Sequence, residues 1–271
     1  MHSWVDGVAS DALALTSRGL AYGDGLFETI AVKAGRALLR ERHLQRLAGG
    51  CARLRLNADL LLVAAEVDAY AHLMGEGVLK LILTRGDSQR GYAPNPQAPA
   101  RRILQAGPAP AYPVGNAEQG IALFACATRL AEQPLLAGLK HLNRLEQVLA
   151  RSEWSDPAFA EGLMLDVSGR IIEGVYSNVF LVSRGELLTA DLSRCGVAGT
   201  MRAELLAQAQ AMNITVRVMD LWPGHLDEAD EVFVCNSVYG VWPVLSHASL
   251  NWPAGPLTRK LQRIARELLD T

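Results

Sequence analysis

The chemistry most legible in this chain is that of a desolvated amine. Lys140 stands in the run Leu135-Leu136-Ala137-Gly138-Leu139-Lys140-His141-Leu142. Apolar surroundings strip an ammonium group of its hydration and favour the neutral amine. The neutral amine is the form that attacks a carbonyl and forms a Schiff base. The choice is narrow, because only four of the 26 basic residues are lysines: Lys33, Lys80, Lys140 and Lys260. The rest are arginines, which stay charged in proteins. Lys80, inside a predicted strand, is the rival, and Lys33 and Lys260 have the setting of surface residues. Local context also allows Lys140 to be a surface lysine at a helix start, its stem laid along apolar neighbours.

Further segments carry groups suited to anions and heterocycles. Val197-Ala198-Gly199-Thr200-Met201-Arg202 opens a predicted helix. Small residues there let backbone N–H groups approach an anion, and the helix dipole favours negative charge. The plainer alternative is a glycine turn with Thr200 as N-cap. Arg46, in His43-Leu44-Gln45-Arg46, lies near the start of the first long helix. Its guanidinium suits phosphate, as it would suit a solvated helix face. Glu173 follows Ile171-Ile172 and precedes Gly174, where a carboxylate can reach a ring nitrogen or sit in a surface turn. Arg90-Gly91-Tyr92, in a polar, proline-rich loop, can meet a ligand carboxylate or form a plain loop. An amine, a phosphate cradle and an acid for a ring nitrogen are together the set that pyridoxal 5'-phosphate requires.

The elements that must position these groups follow from composition and periodicity. With 271 residues, half of them hydrophobic, the chain fits one large domain or two of ordinary size. A formal net charge of -2 argues against nucleic acid as the main partner. Cys51, Cys126, Cys195 and Cys235 are too widely spaced for a CxxC metal or redox motif. Sparse cysteines without a secretion-type start predict a cytoplasmic location. The apolar stretch over 60–65 is far too short to span a membrane. Strands are predicted over 26–32, 36–40, 78–83 and 101–105, with helices over 41–56 and from Asp59 to about 74. Gly23-Asp24-Gly25 lacks the spacing of a dinucleotide-binding loop. Three prolines over 108–113 mark a linker. We therefore expect a smaller N-terminal domain over 1–107, a linker over 108–117 and a larger C-terminal domain over 118–271. In the latter, helices are predicted over 141–154, 200–212 and 256–269. Short strands are predicted over 121–127, 162–166, 171–172, 178–182, 186–189, 215–218 and 231–235. Strands in runs with interspersed helices indicate mixed sheets.

Beyond these local patterns, the chain resembles a known family over essentially its whole length. Tyr22-Gly23-Asp24-Gly25-Leu26-Phe27-Glu28-Thr29, His43-Leu44-Gln45-Arg46-Leu47, Arg90-Gly91-Tyr92 and Cys235-Asn236 are similar to the fold-type IV pyridoxal phosphate enzymes. That group includes the branched-chain and D-amino-acid aminotransferases. The most specific segment is Leu136-Ala137-Gly138-Leu139-Lys140-His141-Leu142-Asn143-Arg144-Leu145-Glu146-Gln147, which differs from the transaminases after the lysine. The resemblance implies an α+β, two-domain fold: a smaller N-terminal α/β domain, a larger C-terminal mixed-sheet domain and the cofactor at their interface. It implies a lyase acting on 4-amino-4-deoxychorismate, with an aminotransferase on the same fold as the alternative. By position, Lys140 matches the Schiff-base lysine, Arg46 the phosphate arginine and Glu173 the acid at the pyridine nitrogen. Thr200 and Met201 match backbone amides on the phosphate, and Ser237 stands where transaminases have a phosphate-binding threonine. Thr29 and Asn236 match positions near substrate, and Lys140 or Thr29, through water or directly, could protonate the leaving group. Arg90 and Tyr92 match a loop that reaches the partner subunit's site in a homodimer. Two departures stand out: Glu28 before Thr29, and Gly174-Val175-Tyr176-Ser177 in place of a run of small residues, with Tyr176 placed to narrow the site.

Overall fold

The computed structural model describes residues 2–88 and 91–270. It divides into two compact units, one bounded by Met1–Pro110 with Leu139–Asn143, the other by Ala111–Gly138 with Arg144–Thr271.

The first unit runs β1 (Trp4–Val5), β2 (Val8–Ala9), α1 (Arg18–Tyr22), β3 (Gly25–Lys33), β4 (Arg36–Ala37), α2 (Arg40–Leu54), α3 (Leu60–Met74), β5 (Gly77–Thr84) and β6 (Arg101–Gly107). Among the described residues these strands form one antiparallel sheet in the order β2-β1-β6-β5-β3-β4. Strand β3 alternates, sending Leu26, Glu28, Ile30 and Val32 inward, the period-2 pattern of a sheet with one buried face. Helices α2 and α3 supply Leu47, Cys51, Val63, Val67 and Tyr70 to the same core as Ile30, Leu79, Leu81 and Leu83. Asp59 caps α3 by accepting from the N–H groups of Leu61 and Leu62. The glycine-rich loop is a helix stop: Gly23 takes the left-handed conformation after α1. Asp24 then accepts from Arg18 and Arg85.

The second unit runs α4 (Gly115–Glu118), β7 (Ile121–Leu130), α5 (Leu145–Arg151), β8 (Phe159–Asp166), β9 (Ile171–Gly174), β10 (Asn178–Ser183), β11 (Glu186–Ala190), α6 (Thr200–Ala211), β12 (Val216–Met219), α7 (Pro223–Asp227), β13 (Glu231–Asn236), β14 (Gly240–His247), β15 (Leu250–Asn251) and α8 (Pro256–Asp270). Its sheet is mixed, ordered β12-β11-β10-β13-β14-β7-β8-β9 with β15 beside β14. A further pairing, Asn178 with Glu173, joins β10 to β9 and closes a ring of six strands. The core is apolar, with Leu163, Met164, Ile171, Val179, Leu181, Val232 and Val244 nearly inaccessible. No described helix is long and apolar enough to cross a membrane.

Three local expectations change. The predicted helix over 141–154 shortens to α5, because the residues around Lys140 are extended along β3. Strand β4 pairs only with Val32 and Lys33, and 140–142 takes the other end of that edge. There the Phe27 N–H donates to the Lys140 carbonyl at 2.9 Å, and the Leu142 N–H to the Gly25 carbonyl at 3.0 Å. The predicted strand over 36–40 stops early, since Leu39 is left-handed and α2 begins at Arg40. Strand β14, unassigned from sequence because Pro243 interrupts its apolar run, lies between β13 and β7.

Candidate active site

In the first unit the chemistry gathers around β3. Lys140 is half-buried, held by the backbone pairing just described, with its Nζ 4.4 Å from the centre of the Phe27 ring. A cation at that distance from an aromatic ring is attracted by the ring's quadrupole. Lys80, the rival amine, lies exposed on β5 opposite Thr29. Glu28, the residue after Phe27, points into the core and is almost wholly inaccessible. A carboxylate there needs partners, and α2 provides two, three residues apart and so on one helix face. His43 Nδ1 lies 2.6 Å from Glu28 Oε2. Arg46 donates from Nε to Oε1 at 2.8 Å and from Nη2 to Oε2. Burial opposes ionisation of Glu28, yet Arg46 and His43 hold its carboxyl down to about 2. Burial also keeps the His43 imidazole below its ordinary range, against the pull of Glu28. A neutral His43 therefore carries its proton on Nδ1, and Nε2 is buried without a hydrogen-bond partner among the described residues. Arg46 is thus fixed in orientation by a full carboxylate.

In the second unit the chemistry sits where the ring of strands closes. Glu173 is a paired strand residue, opposite Met164 and Asn178, and 4% exposed; it is no surface-turn acid. Its Oε2 accepts from the Val197 N–H at 2.8 Å. Asn178 braces the same loop, donating from Nδ2 to the Val197 carbonyl at 2.8 Å and accepting at Oδ1 from the Gly199 N–H at 3.1 Å. Gly138 pairs with the loop from the other side, accepting from the Ala198 N–H and donating to the Gly196 carbonyl. The loop delivers the start of α6, whose N-cap is Gly199 rather than Thr200 and which has no side-chain cap. The first amides of a helix have no intrahelical acceptor, so Thr200 and Met201 present N–H groups suited to an anion. The fit is close: a Cβ on Gly199 would stand 2.0 Å from Asn178 Oδ1. Asn236 and Ser237 follow at the end of β13, both half-buried.

The structure therefore groups Lys140, Arg46 and Thr29 on the first unit. It groups Glu173, Thr200, Met201, Asn236 and Ser237 on strand ends, a turn and the start of α6 of the second. Tyr92 is 84% exposed with its ring 5.5 Å from that of Tyr22, and Arg90 lies outside the described residues. Sequence reading missed Asn178, His43 and the pairing role of Glu28. The last two had a signal: alternation puts Glu28 on the apolar face of β3, where an acid demands a cation.

Comparison with known proteins gives the following. The amino-transferase class IV family matches over residues 25–247. The aminodeoxychorismate lyase of Vibrio harveyi is 35% identical over 264 residues, covering 96% of this chain and 97% of that protein. The crystal structure of 4-amino-4-deoxychorismate lyase from Pseudomonas aeruginosa superposes with a TM-score of 0.97 at 56% identity, covering 99% of this chain and all of the other. The branched-chain-amino-acid aminotransferase of Escherichia coli is 29% identical over 261 residues, covering 91% of this chain and 84% of that protein.

Proposed function

The chain belongs to the amino-transferase class IV family, and from that premise we propose that it is a pyridoxal phosphate lyase that converts 4-amino-4-deoxychorismate into 4-aminobenzoate and pyruvate. The observation that carries the reading is the match to two such lyases over nearly their full lengths. The residue types the cofactor needs support the reading: the first unit supplies an amine and an oriented arginine, and the second an uncapped helix start and a buried acid. Pyridoxal phosphate, when bound, supplies an aldehyde that captures amines and a ring that takes up electron density.

The chain's own groups then divide the work. Lys140 would hold the cofactor through its aldehyde at rest and, with its amine freed, would take the proton at C4 of the substrate. Arg46, the Thr200 and Met201 amides and the Ser237 hydroxyl would hold the phosphate. Glu173, kept in place by the Val197 N–H, would pair with the ring nitrogen. The proton taken by Lys140 returns to the departing enolpyruvate, directly or relayed by the Thr29 hydroxyl. Asn236 holds the substrate in its own site, while Arg90 and Tyr92, on the loop that reaches the partner subunit's site, hold it there, Arg90 taking one of its carboxylates. Aromatisation of the carbocycle drives the reaction, so the protein's task is to position groups and move protons.

The working unit is a homodimer in the cytoplasm. The exposed Leu145, Val148 and Leu149 of α5 support the first statement. Four free, buried cysteines fit the second.

The test is release of 4-aminobenzoate and pyruvate from enzymatically generated 4-amino-4-deoxychorismate, with an amino-acid donor and an oxo acid as control. Lys140→Ala should abolish both products, and borohydride reduction followed by peptide mapping should label Lys140. A label on Lys80, or amino transfer faster than pyruvate release, would overturn the reading.

A further inference from the structure

The turn between β9 and β10 is gripped by a carboxylate that no step above uses. Glu161, on β8, is fully buried. Its Oε1 accepts from the N–H groups of Gly162 at 2.9 Å and Val175 at 3.0 Å. Its Oε2 accepts from the Tyr176 N–H at 3.3 Å and the Ser177 hydroxyl at 2.7 Å. The turn closes tightly on it: a Cβ on Gly174 would stand 2.2 Å from Ser177 Oγ and 2.9 Å from the Glu161 carboxyl. The grip is passed on. The Tyr176 carbonyl accepts from Asn236 Nδ2 at 3.3 Å, and Asn236 Oδ1 accepts from the N–H groups of Val238 and Tyr239. One carboxylate thus ties the turn over 174–177 to the turn over 236–239. The first turn is flanked by Glu173 and Asn178, and the second begins at Asn236 and Ser237.

We propose that Glu161 is a positioning residue: by fixing the Tyr176 backbone it orients Asn236 and its turn, and so sets substrate affinity without touching substrate. This rests on the lyase reading above. Charge supports it. Burial pushes the Glu161 carboxyl up to about 7, against the four hydrogen bonds it accepts. The titratable groups that face it are Tyr112 before α4, Cys126 on β7, Tyr176 on the turn and Tyr239 after β13. All four are raised by burial, Cys126 next by Glu153, and all by Glu161 itself, with Arg129 opposing the shift of Cys126 and Arg151 that of Tyr176. Near neutrality only Glu161 among them changes charge. A proton arriving as pH falls turns one acceptor into a donor facing donors.

Glu161→Gln imposes that defect at every pH. If its NH₂ replaces Oε2, Ser177 can rotate its hydroxyl to accept, but the Tyr176 N–H cannot, and it loses its acceptor. In the cofactor-loaded enzyme we expect KM for 4-amino-4-deoxychorismate to rise about tenfold with kcat within about threefold. Wild-type KM should climb as pH falls through about 7, whereas that of the variant stays high and flat. Amide exchange in the substrate-free protein should quicken at Tyr176 and also at Val238 and Tyr239. An unchanged KM, or exchange that quickens at Tyr176 but not at 238–239, overturns the proposal. Should Glu161→Gln not fold, Glu161→Asp keeps the acceptors one methylene short and gives the rise in KM and the faster exchange at smaller size, with a pH dependence retained; absence of both is equally decisive. If the wild type shows no lyase turnover, the functional reading has failed, and the exchange measurement alone decides whether Glu161 controls the second turn.

Discussion

Glu28→Gln tests how the first unit holds Arg46 in place. The carboxylate it removes is buried and accepts from both His43 and Arg46. Its pKa lies at about 2 in the folded chain against an ordinary 4.5. At 1.36 kcal/mol per unit, ionised Glu28 contributes about 3 kcal/mol to folding at neutral pH. Glutamine leaves the Arg46 charge without its counter-ion, and breaking one side of a buried pair typically costs about 3–5 kcal/mol. The two routes agree on a loss of about 3 kcal/mol. The pH dependence has a definite sign. A depressed carboxyl stabilises the fold above its ordinary pKa and loses that contribution as pH falls from 4.5 toward about 2. His43 acts in the same direction from higher pH, because the unfolded imidazole takes its proton near 6.5 while the buried one resists. Wild type and Glu28→Gln should therefore differ most at neutral pH and converge as pH falls from 4.5 toward about 2, while other depressed carboxyls, Asp24 and Asp166 among them, keep part of the acid limb in both. Urea unfolding of the cofactor-free protein at neutral and acidic pH, read as midpoint shifts at constant slope, measures the difference. A loss below about 0.5 kcal/mol at neutral pH, the size of an ordinary surface substitution, would refute the reasoning. So would a difference that does not narrow on acidification.

Two further perturbations address the second unit. Gly199 has φ −65°, so alanine fits the backbone there and only Asn178 Oδ1, 2.0 Å from the new Cβ, stands in the way. Gly199→Ala should displace Asn178 from Val197 and Gly199 and weaken pyridoxal phosphate binding about tenfold; unchanged affinity in a fluorescence titration would contradict the role given to this loop. Leu149→Glu, on the exposed side of α5 beside Leu145 and Val148, should convert a dimer to a monomer in sedimentation velocity with little change in Tm; a persistent dimer would place the interface elsewhere.

What could be read from sequence was what depends on near neighbours. The Asp59 cap, the amphipathic α2 and the apolar runs of β5 and β7 are local patterns, and they fold as their spacing predicts. The segment after Lys140 misled for the same reason. Leu142, Leu145, Val148 and Leu149 recur at helical spacing, yet 140–142 is claimed by the open edge of β3, more than 110 residues away in sequence. The leucines of α5 are consequently exposed, and helical periodicity there marks a surface rather than a core.

The candidate site divides along the same line. The types of Lys140, Arg46, Glu173 and Thr200 were legible because each type limits the chemistry it can do. Their supports were not, because each is a polar group whose partner only the fold supplies. Asn178 braces 197–199, Glu173 accepts from Val197, and Glu161 grips 175–177. All three lie on β8, β9 or β10, where the ring of strands closes through Glu173 and Asn178. A buried polar side chain is tolerated only when its hydrogen bonds are met. The closure that completes the sheet is therefore also what makes these residues affordable in the core. An apolar replacement at Glu161 or Asn178 would keep the strand pattern intact and still leave the loops that carry the chemistry without a brace.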